Sequence, residues 1–274
     1  MRNDVTDIRL IDWNRAWQAR SLRRSPQKGN TDFWDGRAPS FANDRGRASY
    51  VDRLLSIMNP QREWTVRDMG CGGGSVAIPL ARSVSSVTAV DASGGMLELV
   101  RSRCKEEGIR NITTLRGRWE DDWEEVGIGT HDVALASRSM VAEDLRASVL
   151  KLDRIARKGV YIVTMVGDGP FDRRLFDAIG RPLNAGPDYI YNYNMLYQLG
   201  ILANVAFIEE SRTRVYESPE AACASVQWMF GELKPVEEER LRAYVREHLV
   251  LRGGSWSFPY PMVIRWAVMW WEKT

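Results

Sequence analysis

A rhythm between residues 65 and 166 constrains the fold of this chain more than any other feature. The runs TVRDM (65–69), VTAVD (87–91), NITTL (111–115), DVALAS (132–137) and VYIVTMV (160–166) read as strands. They are short and do not alternate polar with apolar, the pattern of strands covered on both faces. Between them, Val76–Arg82, Met96–Glu107, Trp119–Val126 and Asp144–Arg157 carry apolar residues at helical spacing. Strand and helix alternating at this interval call for right-handed crossovers. The product is an α/β fold, a doubly wound and mostly parallel sheet with helices on both faces.

The flanks read differently. The first fifty residues combine a helix-like run (Ile11–Arg20), a basic loop (RSLRRSPQKG) and an aromatic segment, FWDGRAPSFA. Tyr50 to Met58 keeps helical spacing, and Pro60 stops it. After residue 166 come a helix (Phe171–Ile179), a tyrosine-rich turn (DYIYNYNMLY) and a strand, NVAFIEESRTRVY. Ser218-Pro219-Glu220 reads as an N-cap with a first-turn proline, starting a helix to about Phe230. A charged helix follows over Val236–Leu249, and MVIRWAVMWW ends the chain as a strand. With no full crossover helix between the last two strands, they are expected to add antiparallel pairing at the sheet edge. The expected organisation is a single domain over 1–274. It comprises a helical N-terminal cap (1–50), a core (51–212 and 258–274) and a helical insertion before the last strand (213–257).

Composition narrows the function classes. The 274 residues are 44% hydrophobic and 27% charged, ordinary for a globular chain. A net charge of +2 provides no broad positive field, so no nucleic-acid partner is expected. Three scattered cysteines (Cys71, Cys104, Cys223) and a start, MRNDVTDIRL, without an apolar leader block point to the cytoplasm. Two histidines, His131 and His248, leave no basis for a His-rich metal site, and none is expected. The most apolar stretch, Pro261–Trp271, is interrupted by Arg265 and is too short for a membrane span.

The chemistry concentrates in RDMGCGGGSVAIPLA, residues 67–81. A strand ends at Asp68-Met69, glycines stand at 70, 72, 73 and 74, and a helix begins near Ser75. Asp91 closes the next strand, where a carboxylate can take the ribose hydroxyls of an adenosine group. Gly72-x-Gly74-x-x-Ala77 also fits a dinucleotide fingerprint, so a nicotinamide or flavin ligand stays open at this level. Asp68 argues against it: a carboxylate aimed into the turn repels a pyrophosphate and attracts an ammonium group. No tyrosine is followed four residues later by lysine, so the short-chain dehydrogenase pair is missing.

TVRDMGCGGGSVAIPLA resembles the first motif of the class I S-adenosylmethionine-dependent methyltransferases, in their small-molecule, type 11-like branch. VTAVDASGGMLELV, GRWEDDW and HDVALASRSM resemble the next three motifs, in the expected order across residues 64–142. The resemblance implies a Rossmann-like, seven-stranded sheet with an antiparallel last strand, and S-adenosylmethionine as cofactor, leaving as S-adenosylhomocysteine. It also implies roles. Gly70, Cys71, Gly72 and Gly74 line the methionine part, and Asp68 reaches its amino group. Asp91 takes the ribose hydroxyls, with Ala92, Ser93 and Met96 beside the adenine. Trp119 and Glu120 close over the other side of the base, and Ser137 lies near the methyl. Arg118-Trp119 departs from the acidic-then-small pair common in the family, so Trp119 either stacks on the base or packs beneath the sheet. FWDGRAPSFA resembles a cofactor-covering segment, with Trp34, Arg37 and Phe41 touching cofactor or substrate and Arg37 pairing the methionine carboxylate.

Methyl transfer from a sulfonium needs positioning and desolvation more than a dedicated base. No catalytic residue is assigned: His131, at a strand start, reads as a surface position, and His248 ends a charged helix. Ser137-Arg138-Ser139 replaces the Asn/Asp-Pro-Pro-aromatic box of enzymes that methylate base amines, and no Pro-Cys pair serves cytosine attack. A small-molecule acceptor is expected under Tyr189, Tyr191 and Tyr193, unless those rings pack the turn on the core. Two other classes stay open: a methyltransferase-like binding protein without turnover, and an NAD(P)-dependent oxidoreductase.

Overall fold

The computed structural model describes residues 7–21, 31–42 and 48–273. Most of the basic loop RSLRRSPQKG lies outside them. The helices are α1 (Trp13–Ser21), α2 (Thr31–Ala42), α3 (Ala48–Met58), α4 (Ala77–Ala81), α5 (Gly94–Glu107), α6 (Leu145–Ile155), α7 (Arg173–Ile179), α8 (Tyr189–Gln198), α9 (Pro219–Val226) and α10 (Pro235–His248). The strands are β1 (Thr65–Met69), β2 (Ser86–Asp91), β3 (Ile112–Arg116), β4 (His131–Ser137), β5 (Ala156–Met165), β6 (Asn204–Arg212), β7 (Val215–Tyr216), β8 (Val250–Arg252), β9 (Ser255–Ser257) and β10 (Met262–Glu272).

Seven strands form one sheet in the order β3-β2-β1-β4-β5-β10-β6. β1 to β5 are parallel, and β10 runs antiparallel to both neighbours, with Trp266 opposite Met165 and Ile208. The α/β class, the seven strands and the antiparallel last strand are therefore as expected. The edge is not: β10 is inserted between β5 and β6, and β6 forms the border. β10 is eleven residues long, and Ala267, Val268 and Met269 at its centre are fully buried. A strand apolar on both faces is more stable inside a sheet than at its rim.

One face of the sheet is covered by α3, α4 and α5 through Tyr50, Leu54, Leu80, Leu97 and Val100. The other is covered by α1, α6 and α8 through Trp17, Leu145, Leu152, Met195 and Leu196. Trp17, 1% exposed, donates its indole N–H to the Ala142 carbonyl at 2.8 Å and so fastens α1 to the loop after β4. A third core joins α7 to α9 and α10 through Phe176, Val226, Phe230, Leu241 and Val245.

Three local expectations are corrected. Residues 119–126 form turns rather than a helix, because Asp121 and Asp122 accept from the Arg118 and Glu124 backbone N–H groups and hold the chain in non-helical caps. DYIYNYNMLY is helix α8 and not a turn. Asp188 caps it, and Asn194 bonds back to the Ile190 carbonyl at 2.8 Å. Val215–Tyr216 leaves β6 and joins a second, three-stranded sheet with the hairpin of β8 and β9, which periodicity in so short a stretch cannot reveal.

Candidate functional site

The glycine loop stands at the carboxyl end of β1, where the sheet order turns between β1 and β4, the position at which doubly wound sheets hold ligands. Its first turn is fixed from beneath. The Gly70 and Cys71 N–H groups both donate to the Val90 carbonyl, at 2.8 and 2.9 Å. Gly70 has φ +74, and a Cβ there would lie 2.3 Å from the Ser139 Cβ, so only glycine fits. Gly72 also has a left-handed φ, +53, but a Cβ on it meets nothing within 4 Å. The loop is thus packed on one side at Gly70 and open at Gly72. Gly74 closes the turn over Ile78 and Val100.

Two carboxylates flank this loop. Asp91 accepts from the Gly72 N–H at 2.8 Å through Oδ2 and from the Ser93 N–H at 2.9 Å through Oδ1. Burial raises its pKa, and those backbone donors oppose the rise. Asp68 is 1% exposed, and its Oδ1 accepts no hydrogen bond. Burial, then the Asp91 charge, pushes it up to about 7, while Arg138 pulls it back. Burial also raises the Cys71 thiol, so Cys71 contributes a neutral wall.

Beyond Asp91, Ser93 caps α5 by accepting from the Met96 N–H, and both side chains are buried. Ala92 is partly exposed between them. The cap helix α2 reaches this corner. Asp35 accepts from the Ser93 hydroxyl and, at 2.9 Å, from the Gly95 N–H, which hold its carboxyl below the usual range. Arg103 donates to the Gly73 and Phe41 carbonyls, and Arg118 to the Thr31 hydroxyl. α2 is therefore fastened along its length to the rim of the loop, with Trp34 in ring contact with Phe33 and Phe41. The Arg37 guanidinium stands 5.6 to 6.0 Å from the ring centres of Phe33, Phe41 and Trp228, and its buried Nε–H donates to no partner.

At the ends of β3 and β4 the expectations separate. Trp119 is 6% exposed, tilted against Trp123 and bonded to the Ser139 carbonyl at 2.9 Å, so it joins the two loops from below. Glu120 is exposed. The Ser137 hydroxyl pairs with Tyr50 at 2.7 Å. Arg138 follows with φ +60, its guanidinium centre 4.2 Å from the Tyr50 ring and 5.4 Å from Trp266. Next to it, Trp266 donates to Glu210, a 5% exposed carboxylate paired with Arg212.

The tyrosines of α8 face elsewhere. Tyr189 meets Phe207 edge-on, Tyr191 meets Trp13, and Tyr193 is exposed. His131 is not a surface position: it is half-buried at the amino end of β4, bridging Thr88 and Arg67 at the far end of the sheet from the loop. A cavity of about 30 Å³ lies over the ends of β6 and β10, lined by Asp172, Arg212, Tyr216, Phe258, Tyr260 and Met262 among others. Spacing located the loop and both carboxylates. It gave no signal for Asp35, Tyr50, Arg138 or Trp228, whose partners are far away in sequence.

The fold is that of the class I methyltransferases. Residues 66–159 match the family model of a methyltransferase domain. A protein assigned as a methyltransferase from Bacillus halodurans shares the fold, with a TM-score of 0.54 and 15% identity over 82% of this chain and 99% of that one. Residues 66–159 are a methyltransferase domain, on a chain with the class I methyltransferase fold. An uncharacterised Haemophilus influenzae protein is 37% identical over 247 residues, 87% of this chain and 88% of its own. A ubiquinone biosynthesis O-methyltransferase of Rickettsia canadensis is 35% identical over 60 residues, a quarter of that protein.

Proposed function

We propose that the chain uses S-adenosylmethionine to methylate a small-molecule acceptor. The observation that carries this reading is Asp68, a buried carboxylate with one unpartnered oxygen beside an open glycine loop. That oxygen fits a cationic ammonium group and opposes a pyrophosphate. Asp91 fits the ribose hydroxyls, because each of its oxygens keeps a lone pair beyond the backbone donor it already accepts. Gly72 presents the open backbone over which the methionine part is assigned, with Gly70, Cys71 and Gly74 around it. Ala92, Ser93 and Met96 are assigned to the adenine side, with Trp119 beneath and Glu120 at the rim. When bound, the cofactor supplies an electrophilic methyl on a sulfonium.

The protein's own part is to hold and dry the site. α2 carries Trp34, Arg37 and Phe41 across the loop, and Trp228 meets Arg37 from the 213–257 segment. Cap and insertion meeting over the carboxyl edge suit a ligand taken in whole rather than a polymer. The modest net charge supports the same choice. We assign Phe41 to the acceptor, and Tyr189 and Tyr191 of α8 to packing against Phe207 and Trp13.

Incubation of the protein with methyl-labelled cofactor and a cell extract separated by size tests this. Label in the small-molecule fraction, lost in Asp91→Ala, is expected. Label only in protein or nucleic acid would sink the small-molecule assignment. Tight cofactor binding with label in no fraction would support the non-catalytic binding protein instead.

A further inference from the structure

Resting on the cofactor reading above, we infer that Arg138 anchors the carboxylate of the cofactor's amino-acid end and reads that end together with Asp68. Arg138 directly follows β4 with φ +60, one of two non-glycine residues at positive φ among the described residues. A left-handed backbone at a long side chain costs about 1–2 kcal/mol and persists where the surroundings require it. Here the Arg138 N–H donates to the Val163 carbonyl at 2.8 Å, which fixes the turn. The side chain is thereby directed over the Tyr50 ring, at 4.2 Å, and toward Ser75 at the end of the glycine loop.

A guanidinium has five N–H donors. Among the described residues, Arg138 uses its side chain in one long hydrogen bond, Nη2 to the Ser75 hydroxyl at 3.4 Å. The aromatic cradle of Tyr50 and Trp266 holds the charge without consuming donors. The buried carboxylates around it do not neutralise it. Glu210 is committed to Arg212 and to the Trp266 indole, while Asp68 keeps its Oδ1 unpartnered. Asp68, on β1, and Arg138, directly after β4, stand on neighbouring parallel strands toward their carboxyl ends.

One end of the loop thus offers an unspent carboxylate and the other an unspent guanidinium. An α-amino acid group carries the complementary pair, an ammonium and a carboxylate. Arg37, the other candidate, also keeps donors unspent, but it is held among the rings of Phe33, Phe41 and Trp228 on the cap and insertion, whereas Arg138 bonds to Ser75 of the loop itself.

Calorimetric titration with S-adenosylhomocysteine and with methylthioadenosine, which lacks the amino-acid end, separates the possibilities. For Arg138→Gln we expect binding of S-adenosylhomocysteine to weaken about 10- to 100-fold, the range of a lost charge-assisted hydrogen bond, with methylthioadenosine unchanged. Arg138→Lys should fall between, because it keeps the charge and loses the fork. Equal weakening of both ligands would make Arg138 a packing residue. Loss of discrimination in Arg37→Gln, with Arg138→Gln and Arg138→Lys binding like wild type, would move the anchor to Arg37. Failure of the wild type to bind either ligand would instead refute the cofactor reading itself.

Discussion

Asp68 is the residue at which folding and function pull in opposite directions. Its ordinary carboxyl pKa is 3.8, and burial followed by the Asp91 charge pushes it up to about 7 in the folded chain. Between those values the folded state keeps a proton that the unfolded state has lost. Stability therefore falls as pH rises through that window, and the full cost is present above about 7. Asp68→Asn removes a buried charge, so the unliganded variant is expected to melt above wild type at pH 8. The difference should shrink toward pH 5, with a ceiling of about 4 kcal/mol by the usual conversion. A thermal melt at both values checks this; a variant that melts lower at pH 8 would contradict it. The same variant should lose affinity for S-adenosylhomocysteine, and wild-type affinity should decline below pH 7 as Asp68 takes up its proton. Asp68 and Asp91 were legible in sequence because the glycine loop fixes their places. Asp35 and Tyr50 were not, since their partners Ser93 and Ser137 lie 58 and 87 residues away.

At the scale of elements, the loop and the β4 end are locked together by Gly70 against Ser139. Gly70→Ala brings a Cβ to 2.3 Å of the Ser139 Cβ at a positive φ. Overpacking and left-handed strain together predict a loss of about 2–5 kcal/mol in urea unfolding. Adding Ser139→Gly should return the overpacking part and leave the backbone part, and a single variant as stable as wild type would dismiss the lock. The elements best read from sequence were those where periodicity and buried apolar runs agree, such as β1, β2, β4 and α5. Those misread had local chemistry working against the pattern. In the 119–126 segment, aspartates cap the backbone where a helix was expected. In α8, tyrosines and asparagines, weak helix formers, are held helical by the Asp188 cap and by Met195 and Leu196 buried below.

Over the whole molecule, two cores cover the opposite faces of the sheet, and the third shares Phe171, Leu183 and Met262 with the first. The cap is tied to the loop rim by Asp35 and Arg103, and to the insertion by Arg37 and Trp228. Trp228→Ala is expected to speed amide exchange in residues 31–42 while β1 and β4 exchange as before. Unchanged exchange in the cap would show that the insertion does not hold it. Sequence carried the parallel half of the sheet, because strand and helix alternate there, but not the order of its strands. It did not carry the interior place of β10, which depends on how two distant apolar strands share a border. Nor did it carry the small sheet of β7, β9 and β8, whose strands are two or three residues long.

The central claim concerns the ligand of the glycine loop, and calorimetric titration of the purified protein tests it most directly. S-adenosylmethionine and S-adenosylhomocysteine are predicted to bind saturably, NAD not at all, and Asp91→Ala to weaken both adenosyl ligands strongly. Folded protein that ignores both adenosyl ligands, or that binds NAD in their place, would contradict it.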